Sequence, residues 1–288
     1  MSRLHVSKAL AARAVLAAAC VGVAAFQWPS DQPGYRTGFG SARGGTFSKG
    51  LELSVSDQIV KAPDDGDLVF ACDDGRLPGG FPLPGGSIVA LAHSSGLMSV
   101  FTGLQPGSLP RHAVALKAGE PVGAAPPDGG RSVNFYAYDA LERRFINPLS
   151  LLPRLADNRA PAIRSVTLVS GSQQLALGRD NRVRQGEWGI RVDAADLFPS
   201  EGPSAPFQLA VLVNGSELAN VRYDAAWAED GALKAFSAAP VYIRDYILPD
   251  GRAGFGPVSL VRGTAHISVV ASDFEGNVRE AHYTVQVF

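Results

Sequence analysis

Histidine is scarce in this sequence: five stand among 288 residues, at positions 5, 93, 112, 266 and 282, and none falls between His112 and His266. No two of them have metal-ligand spacing. Cysteine is scarcer still, with only Cys20 and Cys72. Cys20 lies in an apolar N-terminal run. If that run is removed, Cys72 stands alone, which excludes an internal disulfide and a cysteine-rich metal site. In LVFACDDG, Cys72 reads as a small buried apolar residue. An excess of one charge is missing too. Lys and Arg number 26 against 27 Asp and Glu, a net charge of −1, so there is no electrostatic footprint for nucleic acid or an anionic membrane.

What is present points to short strands. The 32 glycines and 20 prolines cut the chain into strand-length pieces. From Gly50 to Leu152 the runs GLELSV, QIVKAP, GDLVFACDDG, GSIVALAH, LMSVFTGL, HAVALKAGEPV and SVNFYAYD alternate with turns. No stretch in this half keeps helical periodicity for three turns. The Pro-rich INPLSLLPRLADNRAP then breaks the pattern, and residues 154–161 read as a linker. Beyond it, IRSVTLVS, QQLALG, WGIRVDAAD, FQLAVLVNG, ANVRYDAAW, VSLVRG, HISVVASD and HYTVQVF are eight further strand candidates. In the last, Tyr283, Val285 and Val287 alternate with Thr284 and Gln286. Asn214-Gly215 and Glu275-Gly276-Asn277 supply turns, and the spacing predicts an antiparallel, immunoglobulin-like β-sandwich over 162–288. Residues 224–256 read as a less regular segment with short strands.

The N-terminus reads as an export signal over 1–25. Arg3, Lys8 and Arg13 lead into AVLAAACVGVAA (14–25), too short for a comfortable membrane span, and Val23-Ala24-Ala25 precede a cut ahead of Phe26. Leu16-Ala17-Ala18-Ala19 before Cys20 offer a second processing route, with Cys20 acylated. An uncleaved anchor is the third. All three predict an exported chain, periplasmic or extracellular, lipid-anchored only if Cys20 is acylated.

Several motifs over residues 28–153 stand in a familiar order. Trp28-Pro29 and Phe39-Gly40 with Arg43 come first, then Gly50-Leu51-Glu52-Leu53, VKAPDDGDLVFA, IVALAHSSGLMSVFTGL, LKAGEPVGAA and Asn147-Pro148. Together they resemble the lysostaphin/LytM-like zinc endopeptidases, which cut peptide cross-links in peptidoglycan. The resemblance implies an all-β fold, with a LytM-like antiparallel sheet or barrel over 26–153.

The same resemblance implies zinc held by the His and Asp of H-x-G-x-D and by the second His of H-x-H. The first His of H-x-H and the His of Y-x-H-L would handle water and oxyanion. This chain departs at every one of these positions. The metal-ligand positions carry Ser48, Glu52 and Asn134, and the catalytic ones carry Ser132 and Gly103. A hydroxyl, a carboxylate and an amide form a hard-oxygen set, closer to a weak cation site than to zinc. His93 matches a family position that is not a metal ligand and reads as structural. Ser48, Glu52, His93, Gly103, Ser132 and Asn134 are thus candidates for a binding groove, with no catalytic residue, no metal and no cofactor expected.

Acidic residues at two turns are alternative cation sites: Asp64, Asp65, Asp67, Asp73 and Asp74 around one hairpin, and Asp273 in Asp273-Phe274-Glu275-Gly276-Asn277. Both read more simply as solvated turns. Three function classes stand open. The first is an exported, inactive LytM-like homologue that binds peptidoglycan stem peptide or a cell-envelope protein. The second is an active zinc endopeptidase, and the third a purely structural envelope protein.

Overall fold

The computed structural model describes residues 26–43, 46–55, 58–73, 86–110, 112–127, 132–197, 199, 202–237 and 240–288. The export signal, Cys20 and Asp74 lie outside the described residues. The all-β expectation holds: among the described residues strand makes up 56% and helix 3%.

The first half carries β1 (Tyr35–Thr37), β2 (Ala42–Arg43), β3 (Thr46–Phe47), β4 (Leu51–Leu53), β5 (Ile59–Lys61), β6 (Gly66–Cys72), β7 (Ser87–Ala92), β8 (Leu97–Leu104), β9 (Ala115–Leu116), β10 (Pro121–Ala124), β11 (Asn134–Asp139) and β12 (Arg144–Ile146). Period-two alternation sets their faces. In β4, Leu51 and Leu53 are buried and Glu52 is not; in β11, Phe135 and Ala137 are buried, while Asn134 and Tyr136 lie on the other face. The inward residues build one core, in which the Phe101 and Phe135 rings stack at 5.1 Å. Trp28 joins this core and donates its indole N–H to the Pro153 carbonyl at 2.8 Å. That bond pins the start of the half to its end.

The second half carries β13 (Ala162–Ser170), β14 (Gln173–Ala176), β15 (Asn181–Val183), β16 (Gly186–Ala195), β17 (Gln208–Val213), β18 (Ser216–Glu229), β19 (Ala232–Ser237), β20 (Val241–Tyr242), the short α1 (Ile243–Tyr246), β21 (Ala253–Leu260), β22 (Gly263–Ser272) and β23 (Val278–Val287). One sheet runs β14-β13-β16-β21. Leu168 and Ile190 from it share a core with Val211, Ile267 and Val285 of the facing strands β17, β22 and β23. Two details depart from the sequence reading. Asn181–Val183 was not foreseen as a strand, and it pairs with β23 in parallel, Asn181 opposite Val285. The segment from Asp224 is more regular than expected, because β18 continues through an irregularity after Arg222 to Glu229.

The two halves share a sheet. Its strand order is β15-β23-β22-β17-β18-β12-β11-β8-β7-β6-β9, with β1, β4, β19 and β20 attached. The crossing is the β12–β18 ladder, where Arg144, Phe145 and Ile146 face Trp227, Ala226 and Ala225. Asn147 extends it: its N–H reaches Asp224 O at 2.8 Å and its amide donates to Tyr223 O at 3.0 Å. Phe39, from the first half, belongs to the core of the second, and Phe47 packs against it.

Candidate functional site

The antiparallel pairing of β4 with β11 places Glu52 opposite Asn134. Since Leu51 and Phe135 take the inward face, both polar side chains face outward together. Gly50 makes this approach possible, because a Cβ there would stand 2.2 Å from the Phe135 carbonyl oxygen and 2.7 Å from the Tyr136 ring. Just before it, the backbone of Ser48 is tied on both sides, Gly40 N–H to Ser48 O at 2.9 Å and Ser48 N–H to Ser41 O at 2.8 Å.

Ser48, Lys49, Glu52, Asn134 and Tyr136 line one side of a groove of about 1010 Å³. The opposite side comes from the second half: Gly231, Ala232 and Leu233 around the β18–β19 turn, and Ile243, Arg244, Ile247, Leu248 and Pro249 around α1. Three positions 86 residues apart in sequence, from Ser48 to Asn134, therefore meet at one surface. Their polar atoms are engaged locally. The Ser48 hydroxyl donates to Gly50 O at 2.9 Å, the Ser132 hydroxyl donates to Glu52 Oε1 at 2.5 Å, and the Asn134 amide donates to Ser132 O at 3.2 Å. Lys49 stands over the Phe145 ring, 4.8 Å from its centroid. The Tyr136 hydroxyl is pushed up from its ordinary value by burial, partly offset by a hydrogen bond with Thr102.

The remaining candidates lie elsewhere. Ser132 reaches the site only through its bond to Glu52. Gly103 is buried in β8 with φ +80°, a conformation that favours glycine, and does not line the groove. His93 is buried at the end of the β7–β8 hairpin. Its Nδ1 contacts Asp65 O at 2.8 Å, its Nε2 contacts Ser99 Oγ at 2.7 Å, and its ring lies 4.9 Å from that of Phe26. Both ring nitrogens are used in holding the hairpin.

The donor set Ser48, Glu52 and Asn134 does not match zinc, which takes imidazole, thiolate and carboxylate ligands. The acidic hairpin also uses its carboxylates internally. Asp65 accepts from Lys117 Nζ at 2.7 Å and Ala118 N at 2.9 Å, and the Lys117 bond holds its carboxyl below the usual range. Asp73 accepts from Gly107 N at 3.0 Å, and Asp64 from Asp65 N at 2.8 Å. Among the described residues, the group of acidic side chains placed to share a cation lies instead at Asp157, Asp196 and Asp273. The sequence flagged only Asp273 of these; no spacing signal links it to residues 77 and 116 positions away.

A protein-family profile matches residues 160–288. No curated protein matches the chain. Among solved structures, part of the chain is similar to a chain of the SpoIIQ-SpoIIIAH pore forming complex, at 20% identity and a TM-score of 0.34, over 44% of this chain and 90% of that one. Part is also similar to Helicobacter pylori Csd3 in its orthorhombic and hexagonal crystals, at 17% identity and TM-scores of 0.34 and 0.35. These alignments cover 46% of this chain and only 36% and 34% of the Csd3 chains. Among the described residues, no helix is long and apolar enough to cross a membrane.

Proposed function

We propose that the chain is an exported, LytM-like protein that binds an extended peptide without cutting it, followed by an immunoglobulin-like sandwich over 162–288. The peptide is a peptidoglycan stem peptide or a segment of a cell-envelope protein. One observation carries the reading. The three positions where the resemblance puts zinc ligands share one groove wall, yet they present a hydroxyl, a carboxylate and an amide already bonded to their own neighbours. A hydrolytic site needs a Lewis acid or a free general base at this place. A binding groove needs shape, polar edges and backbone to pair with.

The groove has those parts. Glu52 and Asn134 offer a polar floor, Lys49 and Arg244 offer cations, and Leu233, Ile247, Leu248 and Pro249 offer an apolar wall. The β19–β20 ladder reaches only Lys234 and Ala235. That supports a backbone-pairing role for the preceding Ala232 and Leu233, in the manner of β-strand addition. The sandwich half then contributes a groove wall as well as a spacer.

The experiment uses the mature chain with purified sacculi, with soluble muropeptides and with an envelope-protein extract. Binding to one of these, no release of cleaved cross-links and no stoichiometric zinc is the expected result. Chelator-sensitive cleavage of sacculi would overturn the reading in favour of an active zinc endopeptidase. Absence of binding in all three arms would favour a purely structural envelope protein.

A further inference from the structure

The groove has a neighbour, a cavity of about 580 Å³ that shares Ser41 and Ile247 with it. That is the size of a small-molecule site, and such sites favour the junctions between domains. Gly40, Ser41 and Ala42 of the first half close one wall; β13, β16, β17, α1 and the turn after α1 build the rest. Two bonds draw the halves together here. Gly38 N–H donates to the Ser204 hydroxyl at 2.8 Å, and Ala205 N–H donates to the Ser41 hydroxyl at 3.0 Å.

The buried part of the lining has more donors than acceptors. Ser41 and Ser204, each 6% exposed, use their oxygens to accept those bonds and keep their own protons. Tyr223 and Tyr246, 2% and 4% exposed, share a hydrogen bond. Two phenols carry two protons, and the bond between them uses one. Among the described residues no acceptor takes the other. Buried donors in folded proteins find partners, so this wall suits oxygens that come from outside the chain. The charged side chains of the lining carry both signs. Arg164 stands 3.6 Å from Asp193 and Arg252 2.6 Å from Asp250, and Asp193 is near enough to act on Arg252 as well. All four side chains remain accessible to solvent. Such pairs hold each other weakly, so the charges of a ligand can exchange with theirs at little cost.

We propose that this cavity binds a short zwitterionic peptide. Its backbone carbonyls accept the spare protons of Ser41, Ser204 and the tyrosine pair. Its carboxylate meets Arg164 or Arg252, its ammonium meets Asp193 or Asp250, and small side chains rest on Val192, Leu209 and Ala253. An amide carbonyl suits the buried donors better than a carboxylate does, because a charge taken out of water needs a partner of opposite sign. Two guanidiniums and two carboxylates match one ligand charge of each sign; a ligand of single charge would meet repulsion from half of them. Binding here is independent of peptide capture in the groove. The groove takes an extended chain along a strand edge, whereas the cavity takes a chain with both ends free.

The test is calorimetric titration of the mature chain with trialanine, with N-acetyl-trialanine and with trialanine amide. One saturable site for trialanine is expected, with a dissociation constant on the order of 1 mM. Each blocked form should bind about threefold more weakly or worse, having lost one charge partner. Tyr223→Phe combined with Tyr246→Phe keeps both rings and removes both hydroxyls, a change close to neutral for folding because both partners of the bond go together. It should weaken trialanine about fivefold. Arg164→Gln combined with Arg252→Gln should bind trialanine and its amide alike, an outcome that a merely structural role for these arginines would not produce. If the tyrosine variant fails to fold, the arginine variant decides. No saturable heat up to about 10 mM trialanine, equal binding of the three probes, or undiminished binding in the tyrosine variant would overturn the assignment. So would a crystal grown with trialanine that shows only water against Tyr223 and Tyr246.

Discussion

Ser132 donates its hydroxyl to Oε1 of Glu52 across 2.5 Å, joining residues 80 positions apart. Glu52 comes from β4, and Ser132 lies just ahead of β11, the strand that pairs with it. A hydroxyl on a carboxylate lowers the energy of the anion and fixes its direction. The bond therefore orients the groove floor.

Ser132→Ala should cost about 1–2 kcal/mol of stability, the contribution of a hydrogen bond to a charged group reduced by solvent screening, because the pair is only partly buried. It should also weaken capture of the peptide ligand, because Glu52 loses its fixed orientation. Glu52→Gln should keep most of the stability and lose ligand. Urea unfolding alongside the binding assay separates the two effects. Unchanged ligand binding in both variants would place the binding surface elsewhere.

His93 should behave in the opposite way. Both of its ring nitrogens are engaged, with Asp65 O and Ser99 Oγ, and the ring is buried against Phe26. His93→Ala leaves those partners unsatisfied beside a cavity, so a loss of about 2–4 kcal/mol is expected. Ligand binding, measured under conditions where the variant remains folded, should match the parent. A selective loss of binding with intact stability would return His93 to the groove.

The difference between these residues shows what could be read in sequence. The β texture was legible because Gly, Pro and Asp interrupt apolar runs of strand length, and alternation in LEL and NFYA fixed which side chains face out. The meeting of Ser48, Glu52 and Asn134 was legible only through motif order, as spacing alone does not encode register. Three things were not legible. The β12–β18 ladder depends on backbone hydrogen bonds that side-chain patterns do not mark. The groove wall at 231–249 arises from that ladder. The Asp157–Asp196–Asp273 cluster joins turns whose residues look solvated one at a time.

Buried tyrosines predict the alkaline limit of stability. Tyr35, Tyr223 and Tyr246 all have hydroxyls raised above the ordinary value of 10.0, chiefly by burial, and Tyr223 is raised further by its neighbour Tyr246. A folded-state value above the unfolded one means that the unfolded chain loses its protons first. The contribution of these groups is complete below pH about 10 and declines above it, by up to about 1.4 kcal/mol per pH unit for each tyrosine. Urea midpoints should thus fall steeply from pH about 10 upward, with tyrosinate absorbance appearing together with unfolding. Gradual tyrosinate formation in the folded chain would show these hydroxyls to be accessible.

The shared sheet makes a last prediction about how the halves come apart. Two cores exist, but Phe39 fills space in the second core from the first half, and the β12–β18 ladder with Asn147 closes the joint. Unfolding either half alone would strand a row of backbone donors and acceptors and expose the Phe39 pocket, and both cost free energy. The mature chain should therefore melt in one calorimetric transition whose van't Hoff and calorimetric enthalpies agree. Residues 162–288 alone should be markedly less stable than within the chain. Asn147→Ala, which removes the side-chain bond to Tyr223 O and the cap on Leu149 N, should lower the single transition as a whole. Two separable transitions in the parent, or a free-standing second half as stable as the whole, would show that the ladder contributes contact without coupling.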